Sequence, residues 1–158
     1  MEPSLTVCVL VEIREDKSGL ELTADLDAIT IVGLPMQMNG KLYNCAAICS
    51  TGSLLGVVPS TNANRHFAKL GDAAYAFDPF GDGMQVCNFG NNTIFSCSEM
   101  PELKIGVEIG TEYLTPVSPA PSLCASGATL IVNPYAKPYL VGDDEYAKSV
   151  LTCTSAQN

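Results

Sequence analysis

The sequence predicts a mixed α/β or α+β fold in which strands outnumber helices. Short apolar runs rich in β-branched residues recur along the chain, and Gly, Pro, Asn and Asp separate them. One long segment near the end, residues 143–157, contains neither proline nor glycine and suits a helix. The length of 158 residues fits one domain, residues 1–158, because a chain of this size can bury a core.

The first half of the chain is predicted to form strands joined by tight turns. Residues 5–13 are apolar and rich in valine. Residues 28–34 form a β-branched run that predicts a buried strand ending at Pro35. Asn39-Gly40 is a strong turn signal, and residues 41–59 are predicted to form a β-hairpin that turns at residues 50–52.

The middle of the chain is predicted to be a long loop followed by three short strands. Residues 60–83 lose hydrophobic periodicity and are rich in Gly, Asp and Asn, which indicates a functional or disordered loop. Residues 84–97 contain two strand-like pieces, separated by the polar stretch 90–92. Residues 103–109 form a further apolar strand that stops at Gly110.

The last part of the chain combines a strand with the only long helix. Residues 122–125 suit a helical turn after a proline-rich stretch, and residues 128–132 suit a strand. Residues 143–157 are predicted to be helical, with Asp143 as the N-cap and acidic residues in the first turn. Acidic side chains there complement the positive end of the helix dipole.

The composition predicts a partner surface and excludes two classes of partner. Apolar residues make up 47% of the sequence and charged residues only 16%, so the protein has more apolar surface than it easily hides alone. We therefore expect a homo-oligomer or another covering subunit. The net charge is −9, and the eight basic residues are scattered, which argues against a nucleic-acid partner or an anionic membrane surface.

The sequence predicts a cytoplasmic location. It has no uninterrupted apolar run of roughly 18 residues, the length that a transmembrane helix requires. Its first four residues carry no positive side chain, and the apolar stretch that follows has no small-residue cleavage site, so no signal peptide is indicated.

The seven cysteines do not suggest a disulfide framework or a metal site. Their number is odd, no Cys-x-x-Cys pair occurs, and His66 is the only histidine. A zinc site needs closely spaced thiolate or imidazole ligands, so we expect no metal. Several cysteines lie in apolar runs, which favours buried free thiols that pack as small hydrophobic groups.

Seven short stretches together are more specific than any single motif. They are residues 31–35 (Ile-Val-Gly-Leu-Pro), 42–47 (Leu-Tyr-Asn-Cys-Ala-Ala), 55–59 (Leu-Gly-Val-Val-Pro), 95–97 (Phe-Ser-Cys), 104–109 (Lys-Ile-Gly-Val-Glu-Ile), 127–133 (Gly-Ala-Thr-Leu-Ile-Val-Asn) and 142–146 (Gly-Asp-Asp-Glu-Tyr). In this order and spacing they resemble the nitrilase, or carbon–nitrogen hydrolase, superfamily. The nearest resemblance is to the N-terminal glutaminase domain of glutamine-dependent NAD synthetases, and it covers residues 22–157, a middle section of that domain.

The resemblance implies a fold, a mode of assembly and a reaction. It implies part of an α-β-β-α sandwich that pairs through its helices, which agrees with the surplus of apolar residues. In the family, a cysteine attacks the side-chain amide of glutamine, a glutamate acts as the base and a lysine stabilises the oxyanion. The ammonia then passes to a separate synthetase domain, so such a domain or subunit is a further expected partner.

The catalytic residues of the family have no intact counterparts here. The nucleophile position is occupied by Gly110, and of the acidic pair that follows it only Glu112 keeps a charge. The lysine position, after a Val-Pro pair, is occupied by Ser60. Glu12 and Glu21 lie upstream, where the base is expected, but without the expected neighbours. A covalent mechanism requires its nucleophile, so no intact catalytic site and no cofactor are predicted.

Three interpretations follow. The protein can be a family member that is inactive as written. We favour this interpretation because the nucleophile position has no side chain. The resemblance to the family leaves open whether the protein is an enzyme. It can be a non-catalytic binding or assembly module, or a truncated or decayed product stabilised by oligomer contacts. A relocated mechanism using Cys97 or Cys124 with His66 is disfavoured, because neither cysteine has a base beside it in the sequence.

Overall fold

The computed structural model describes residues 6–10, 23–71, 74–79, 81, 83–136 and 140–157. The protein divides into two units, Met1–Asn91 and Asn92–Asn158. The first unit is built on a six-stranded sheet and the second on a three-stranded sheet with short and long helices. The predicted mixed α/β class is confirmed.

The sheet of the first unit has the strand order β1-β2-β3-β4-β6-β5. Its strands are β1 (Thr6–Leu10), β2 (Ala28–Met38), β3 (Lys41–Ser50), β4 (Ser53–Pro59), β5 (Tyr75–Phe77) and β6 (Cys87–Phe89). The β1–β2 and β4–β6 pairs are parallel, and the other pairs are antiparallel. The long central strands β2, β3 and β4 form the body of this sheet.

Tight turns join the three central strands. Asn39 and Gly40 have φ of 51° and 73°, and Thr51 and Gly52 have φ of 47° and 75°. Two consecutive residues with positive φ give the turn whose twist matches that of the flanking strands. The predicted turn at Asn39-Gly40 and the predicted hairpin over residues 41–59 are both confirmed.

The predicted end of β2 at Pro35 is wrong, because the strand continues to Met38. Pro35 pairs with Asn44 of β3, and the carbonyl of Asn44 accepts a hydrogen bond from Ser60 on its other side. In an antiparallel strand the N–H and the carbonyl of one residue point to the same side, so Asn44 directs both away from β2. Pro35 and Asn44 are therefore a pair without mutual hydrogen bonds, and the backbone nitrogen of Pro35 faces away from β3. On the other side of β2, the pairing with β1 ends at Val32. Pro35 lies beyond that point, so its missing N–H removes no hydrogen bond from a described strand pair.

The predicted loop over residues 60–83 is confirmed only in part. Residues 60–71 contain no helix or strand, but Tyr75–Phe77 pairs with β6 and forms the edge strand β5. The backbone of Ala68 donates a hydrogen bond of 2.8 Å to Leu42, so this segment lies along β3. It also covers part of the core, because Leu70 is buried and Ala68 packs beside it.

One face of this sheet carries a hydrophobic cluster to which alternate residues of β3 contribute. The ring of Phe89 lies at its centre, 5.7 Å from the ring of Tyr43 and 5.3 Å from that of Phe77, measured between centroids. The buried members of the cluster are Tyr43, Cys45, Ala47, Cys49, Val57, Leu70, Cys87 and Phe89. Small cysteine and alanine side chains in β3 leave room for the aromatic rings.

The second unit contains strands β7 (Ile94–Ser96), β8 (Lys104–Val107) and β9 (Leu130–Val132) in the order β7-β8-β9. The β7–β8 pair is antiparallel and the β8–β9 pair is parallel. A 3₁₀ helix (Gly110–Leu114) and helix α1 (Pro119–Ala125) connect β8 to β9, and helix α2 (Asp143–Gln157) follows. Both parallel strands therefore end at the same edge of the sheet.

Three boundaries in this unit differ from the predicted ones. Strand β8 ends at Val107, before Gly110, which begins the 3₁₀ helix. The predicted helical turn at residues 122–125 starts earlier, at Pro119, because Ser118 caps the helix and proline is well suited to a first turn. Asp143 is the first helical residue of α2 rather than its N-cap, so the helix begins one residue earlier than predicted. None of the helices that the structure describes is long and apolar enough to span a bilayer.

Candidate functional site

Gly110, which the resemblance assigns to the family's nucleophile position, lies just after β8, at the edge where β9 also ends. Because these strands are parallel, Val107 pairs with Val132 and the residues that follow each strand stay together. The N–H of Glu108 donates to the carbonyl of Val132 and that of Gly110 to the carbonyl of Pro134, both at 3.1 Å. The polar residues that meet here form what we call the strand-end cluster, namely Glu108, Gly110, Glu112, Ser118 and Asn133.

Glu108 links three elements of the second unit. Its side chain is only 2% exposed. One carboxyl oxygen accepts a hydrogen bond of 2.9 Å from the hydroxyl of Ser118, the N-cap of α1, and the other accepts one of 3.4 Å from the amide of Asn133. Buried polar groups need such partners, and this carboxyl group therefore holds the start of α1 and the end of β9 beside β8.

Glu112 is buried to a similar degree, with 1% of its surface exposed. Its side chain turns back and accepts a hydrogen bond from the N–H of Ile109, the residue before the 3₁₀ helix. The carbonyl of Glu112 accepts hydrogen bonds from the N–H and the hydroxyl of Thr115. The acidic residue next to the nucleophile position thus stabilises the turn that follows β8.

Gly110 has φ of 62°, in the left-handed region that residues with a side chain rarely adopt. A Cβ atom placed there would lie 3.7 Å from Cδ2 of Tyr135, which is ordinary contact. The space for a side chain is therefore present, and the backbone conformation is the main obstacle. At position 110 itself, where the resemblance places the family's nucleophile, glycine provides neither a thiol nor a hydroxyl group.

Asn133 contributes an acceptor that has no partner. Its amide nitrogen donates to Glu108 and, at 3.1 Å, to the carbonyl of Gly110. Its Oδ1 atom is buried and accepts no hydrogen bond from the described residues. An unsatisfied buried acceptor costs on the order of 1–3 kcal/mol, so this oxygen can gain from a donor supplied by a ligand or by water.

Ser60, which the resemblance assigns to the family's lysine position, belongs to the first unit. It is buried directly after β4, its N–H donates to the carbonyl of Asn44 at 2.7 Å, and its hydroxyl accepts a hydrogen bond of 3.1 Å from Asn62. These contacts shape the start of the segment that follows β4. A serine hydroxyl has no fixed positive charge, so Ser60 cannot replace a lysine beside an oxyanion. Glu12 and Glu21, considered for the base, lie outside the described residues.

Neither cysteine of the relocated mechanism lies at the end of β8 that leads to Gly110, since Cys97 directly follows β7 and Cys124 lies in α1. The N–H of Cys97 donates to the carbonyl of Leu103, just before β8. After Cys124 the chain turns, and the N–H of Thr129 donates to the carbonyl of Lys104, the first residue of β8. The four residues of β8, at about 3.3 Å each, separate that end from Gly110. His66 is exposed, and its Nε2 accepts a hydrogen bond of 2.8 Å from Nε of Arg65.

Burial raises the pKa of three thiols in the first unit, those of Cys45, Cys49 and Cys87. Burial raises the pKa of Cys45 to about 12. Burial, with a smaller effect of Cys87, raises the pKa of Cys49 to about 11, and burial followed by the charge of Asp78 raises that of Cys87. The prediction of buried thiols is confirmed for these three and is wrong for Cys153, which is exposed.

No described group of three or more His, Cys, Asp or Glu side chains is placed to hold a metal ion. The strand-end cluster itself offers two carboxyl groups, an amide and a hydroxyl. It contains neither a thiol nor a cationic group. Chemically it can accept hydrogen bonds from a donor, but it cannot form a thioester.

Sequence reasoning identified Gly110 and Glu112 but missed three residues of the cluster. Glu108 and Asn133 are polar residues directly after apolar strands, and Ser118 precedes a proline-containing helix start. Glu108 and Asn133 were part of the stretches that carried the resemblance, yet only the parallel pairing of β8 and β9 brings them together. A polar residue at the carboxyl end of a buried strand was the available signal.

Comparison with known proteins supports the resemblance. No family model matches the sequence. The protein is 28% identical over 142 residues to a glutamine-dependent NAD(+) synthetase of Mycobacterium bovis, covering 85% of this sequence and 21% of that protein. It thus spans about a fifth of the length of the curated relatives it matches.

Two solved structures share its fold. A glutamine-dependent NAD(+) synthetase from Cytophaga hutchinsonii superposes with a TM-score of 0.68 at 24% identity, over 87% of this protein and 22% of that one. Nit3 of Saccharomyces cerevisiae, a member of branch 10 of the nitrilase superfamily, gives a TM-score of 0.55 at 15% identity, over 89% and 48%. Over most of its length, the protein is therefore similar in sequence to part of the glutamine-dependent NAD synthetases and has the fold of a partial nitrilase-like domain.

Proposed function

We propose that this protein is a nitrilase-like domain, related to the glutaminase part of NAD synthetases, that does not hydrolyse glutamine as written. The observation that carries the proposal is Gly110. It lies just after β8, the resemblance assigns it to the family's nucleophile position, and it has no side chain with which to form a covalent intermediate.

The sizes of the expected losses in kcat support an inactive site rather than a weakly active one. Loss of the nucleophile in a comparable covalent hydrolase costs on the order of a millionfold in kcat. Replacement of the lysine by Ser60 removes a positive charge from the oxyanion, and one lost oxyanion donor costs about 100- to 1,000-fold. Such losses are not additive, but the first alone removes all except the residual rate that substrate binding and oxyanion contacts supply.

The proposal includes a role in assembly. Large apolar side chains are exposed in both units, among them Leu26, Met84, Val117 and Val141. We propose that a second copy of the protein, or a synthetase domain or subunit, covers part of this surface, because isolated domains rarely leave so much apolar surface in water. A cytoplasmic location remains a prediction from the sequence.

Ammonia release from glutamine tests the absence of activity. The purified protein is incubated with and without glutamine, and ammonia is measured with a coupled enzyme. We expect the same release in both samples, because no thiol lies at the strand-end cluster. Glutamine-dependent release that disappears when Cys97 or Cys124 is changed to serine would overturn the proposal.

A designed thiol tests the correspondence of positions. The resemblance pairs position 110 with position 60, so Gly110→Cys combined with Ser60→Lys should give a thiol that iodoacetamide labels faster than Gly110→Cys alone. A nearby cation lowers the pKa of a thiol and increases the thiolate fraction. Thr111→Cys, one residue along and exposed, is the matched control and should not respond to Ser60→Lys. Equal labelling with and without the lysine would contradict the pairing.

The second candidate function is the binding of a small primary amide. The unpartnered Oδ1 of Asn133 favours it, since an amide N–H can donate to that oxygen. Binding of glutamine or of a small amide without ammonia release, reduced by Asn133→Leu, supports this function. Absence of binding together with a stable oligomer leaves assembly as the function.

A further inference from the structure

The tip of the β2–β3 hairpin joins a sequence and a conformation that favour one chemical modification. Asn39 and Gly40 are both exposed and both have positive φ. They lie beyond Met38 and Lys41, the last pair of the β2–β3 ladder, so the N–H of Gly40 takes no part in that ladder. A Cβ at Gly40 would meet nothing within 4 Å, so the tip is also open to solvent around the peptide bond.

We propose that Asn39 is a site of spontaneous deamidation, with water as the only co-reactant. The backbone nitrogen of Gly40 loses its proton to water or hydroxide and attacks Cγ of Asn39. A bond forms between these two atoms, the bond from Cγ to the amide nitrogen Nδ2 breaks, and ammonia leaves with the proton it takes up. Water then opens the five-membered imide at either carbonyl, which gives aspartate or isoaspartate.

Glycine at position 40 determines the rate of ring closure. The attacking nitrogen must approach the side chain of the preceding residue, and a side chain on the attacking residue obstructs that approach. Gly40 has none, whereas a β-branched residue offers the greatest obstruction. The protein provides its own comparison, because Asn92 is also exposed with positive φ (58°) but is followed by Thr93.

The hairpin slows the reaction without preventing it. Ring closure requires rotation about ψ of Asn39, which strains the tight turn and disturbs the neighbouring Met38–Lys41 pair. Only the last pair of a ten-residue register is affected, so the strands beyond it stay paired. Unfolding the protein should therefore accelerate deamidation of Asn39 and keep its preference over Asn92.

The product changes the hairpin in two ways. Either product adds a negative charge next to Lys41. Isoaspartate also inserts one extra backbone carbon at the turn, which disfavours the two-residue turn that sets the β2–β3 register. Each protein molecule releases one molecule of ammonia at most, and this release does not depend on glutamine.

Peptide mapping of the full-length protein tests the proposal. Trypsin is expected to produce peptide 18–41, in which Asn39 is the single asparagine. After incubation of the native protein in mildly alkaline buffer, this peptide should gain about one dalton and split into two chromatographic forms, aspartate and isoaspartate. Fragmentation assigns the gain to residue 39, and the converted fraction should exceed that at Asn92 severalfold.

Two variants complete the experiment. Gly40→Asn retains a residue that tolerates positive φ and has space for its side chain, so the hairpin should persist while conversion of Asn39 falls severalfold. Asn39→Asp should show no gain in mass. Conversion at Asn39 no faster than at Asn92, or unchanged by Gly40→Asn, would overturn the proposal. The wild-type comparison stands even if a variant fails to fold, and none of these results depends on whether the protein has glutaminase activity.

Discussion

The conformation of Gly110 gives a stability prediction that bears directly on the missing nucleophile. Gly110→Ala places a Cβ at φ of 62°, where a residue with a side chain pays about 1–2 kcal/mol. The added carbon would lie 3.7 Å from Tyr135, so packing adds little to this cost. With a urea dependence of about 1–3 kcal/mol per molar, the midpoint of unfolding should fall by about 0.3–2 M.

Two matched variants separate backbone strain from other effects. Gly110→Asn carries a larger side chain but tolerates positive φ better, so it should cost less than Gly110→Ala. Gly71→Ala adds a Cβ at a glycine outside the left-handed region with nothing within 4 Å, and it should be neutral or slightly stabilising. Urea unfolding followed by circular dichroism measures all three. Equal midpoints for Gly110→Ala and Gly71→Ala would refute the argument that position 110 requires glycine.

Three further predictions concern buried polar groups and thiols. Thr30→Val removes a buried hydroxyl that has no hydrogen-bond partner among the described residues, and it should raise the free energy of unfolding by about 1 kcal/mol; a lower free energy in urea unfolding would contradict this. Glu108→Ala leaves the serine and asparagine donors of the strand-end cluster without their acceptor and should cost about 1–3 kcal/mol per unsatisfied group, whereas an unchanged denaturation midpoint would show that the link is unimportant. Burial raises the pKa of Cys45 to about 12 and of Cys49 to about 11, so unfolded thiols release protons first and stability should fall as pH rises from 9.0 towards 11. Near neutral pH, iodoacetamide should label exposed Cys153 well before these two, as peptide mass spectrometry would show.

Local signals in the sequence predicted the elements that local physics determines. Asn39-Gly40 and the turn at residues 50–52 have the residue types that positive φ demands, so the hairpin followed directly. Helix α2 followed from a long stretch without helix-breaking residues and from its acidic first turn. The short strands β6 to β9 lay within the predicted apolar runs, although their ends did not coincide.

Elements that depend on distant partners were predicted less well. Strand β2 extends past Pro35 because β3 is long enough to pair with it, and β5 exists only because β6 lies beside it. A strand is stabilised by its neighbours rather than by its own residues, so a short segment such as Tyr75–Phe77 shows no signal of its own.

The sequence by itself determined the relationship to the nitrilase superfamily and the absence of a side chain at Gly110, because both depend only on residue identities and their spacing. The tertiary structure alone decided what surrounds that position. Parallel pairing of β8 with β9 brings Asn133 to Glu108, 25 residues apart, and the N-cap of α1 adds Ser118. Hydrogen bonds between such distant residues form only after the strands have paired, since they depend on the geometry of the sheet edge and not on any local pattern.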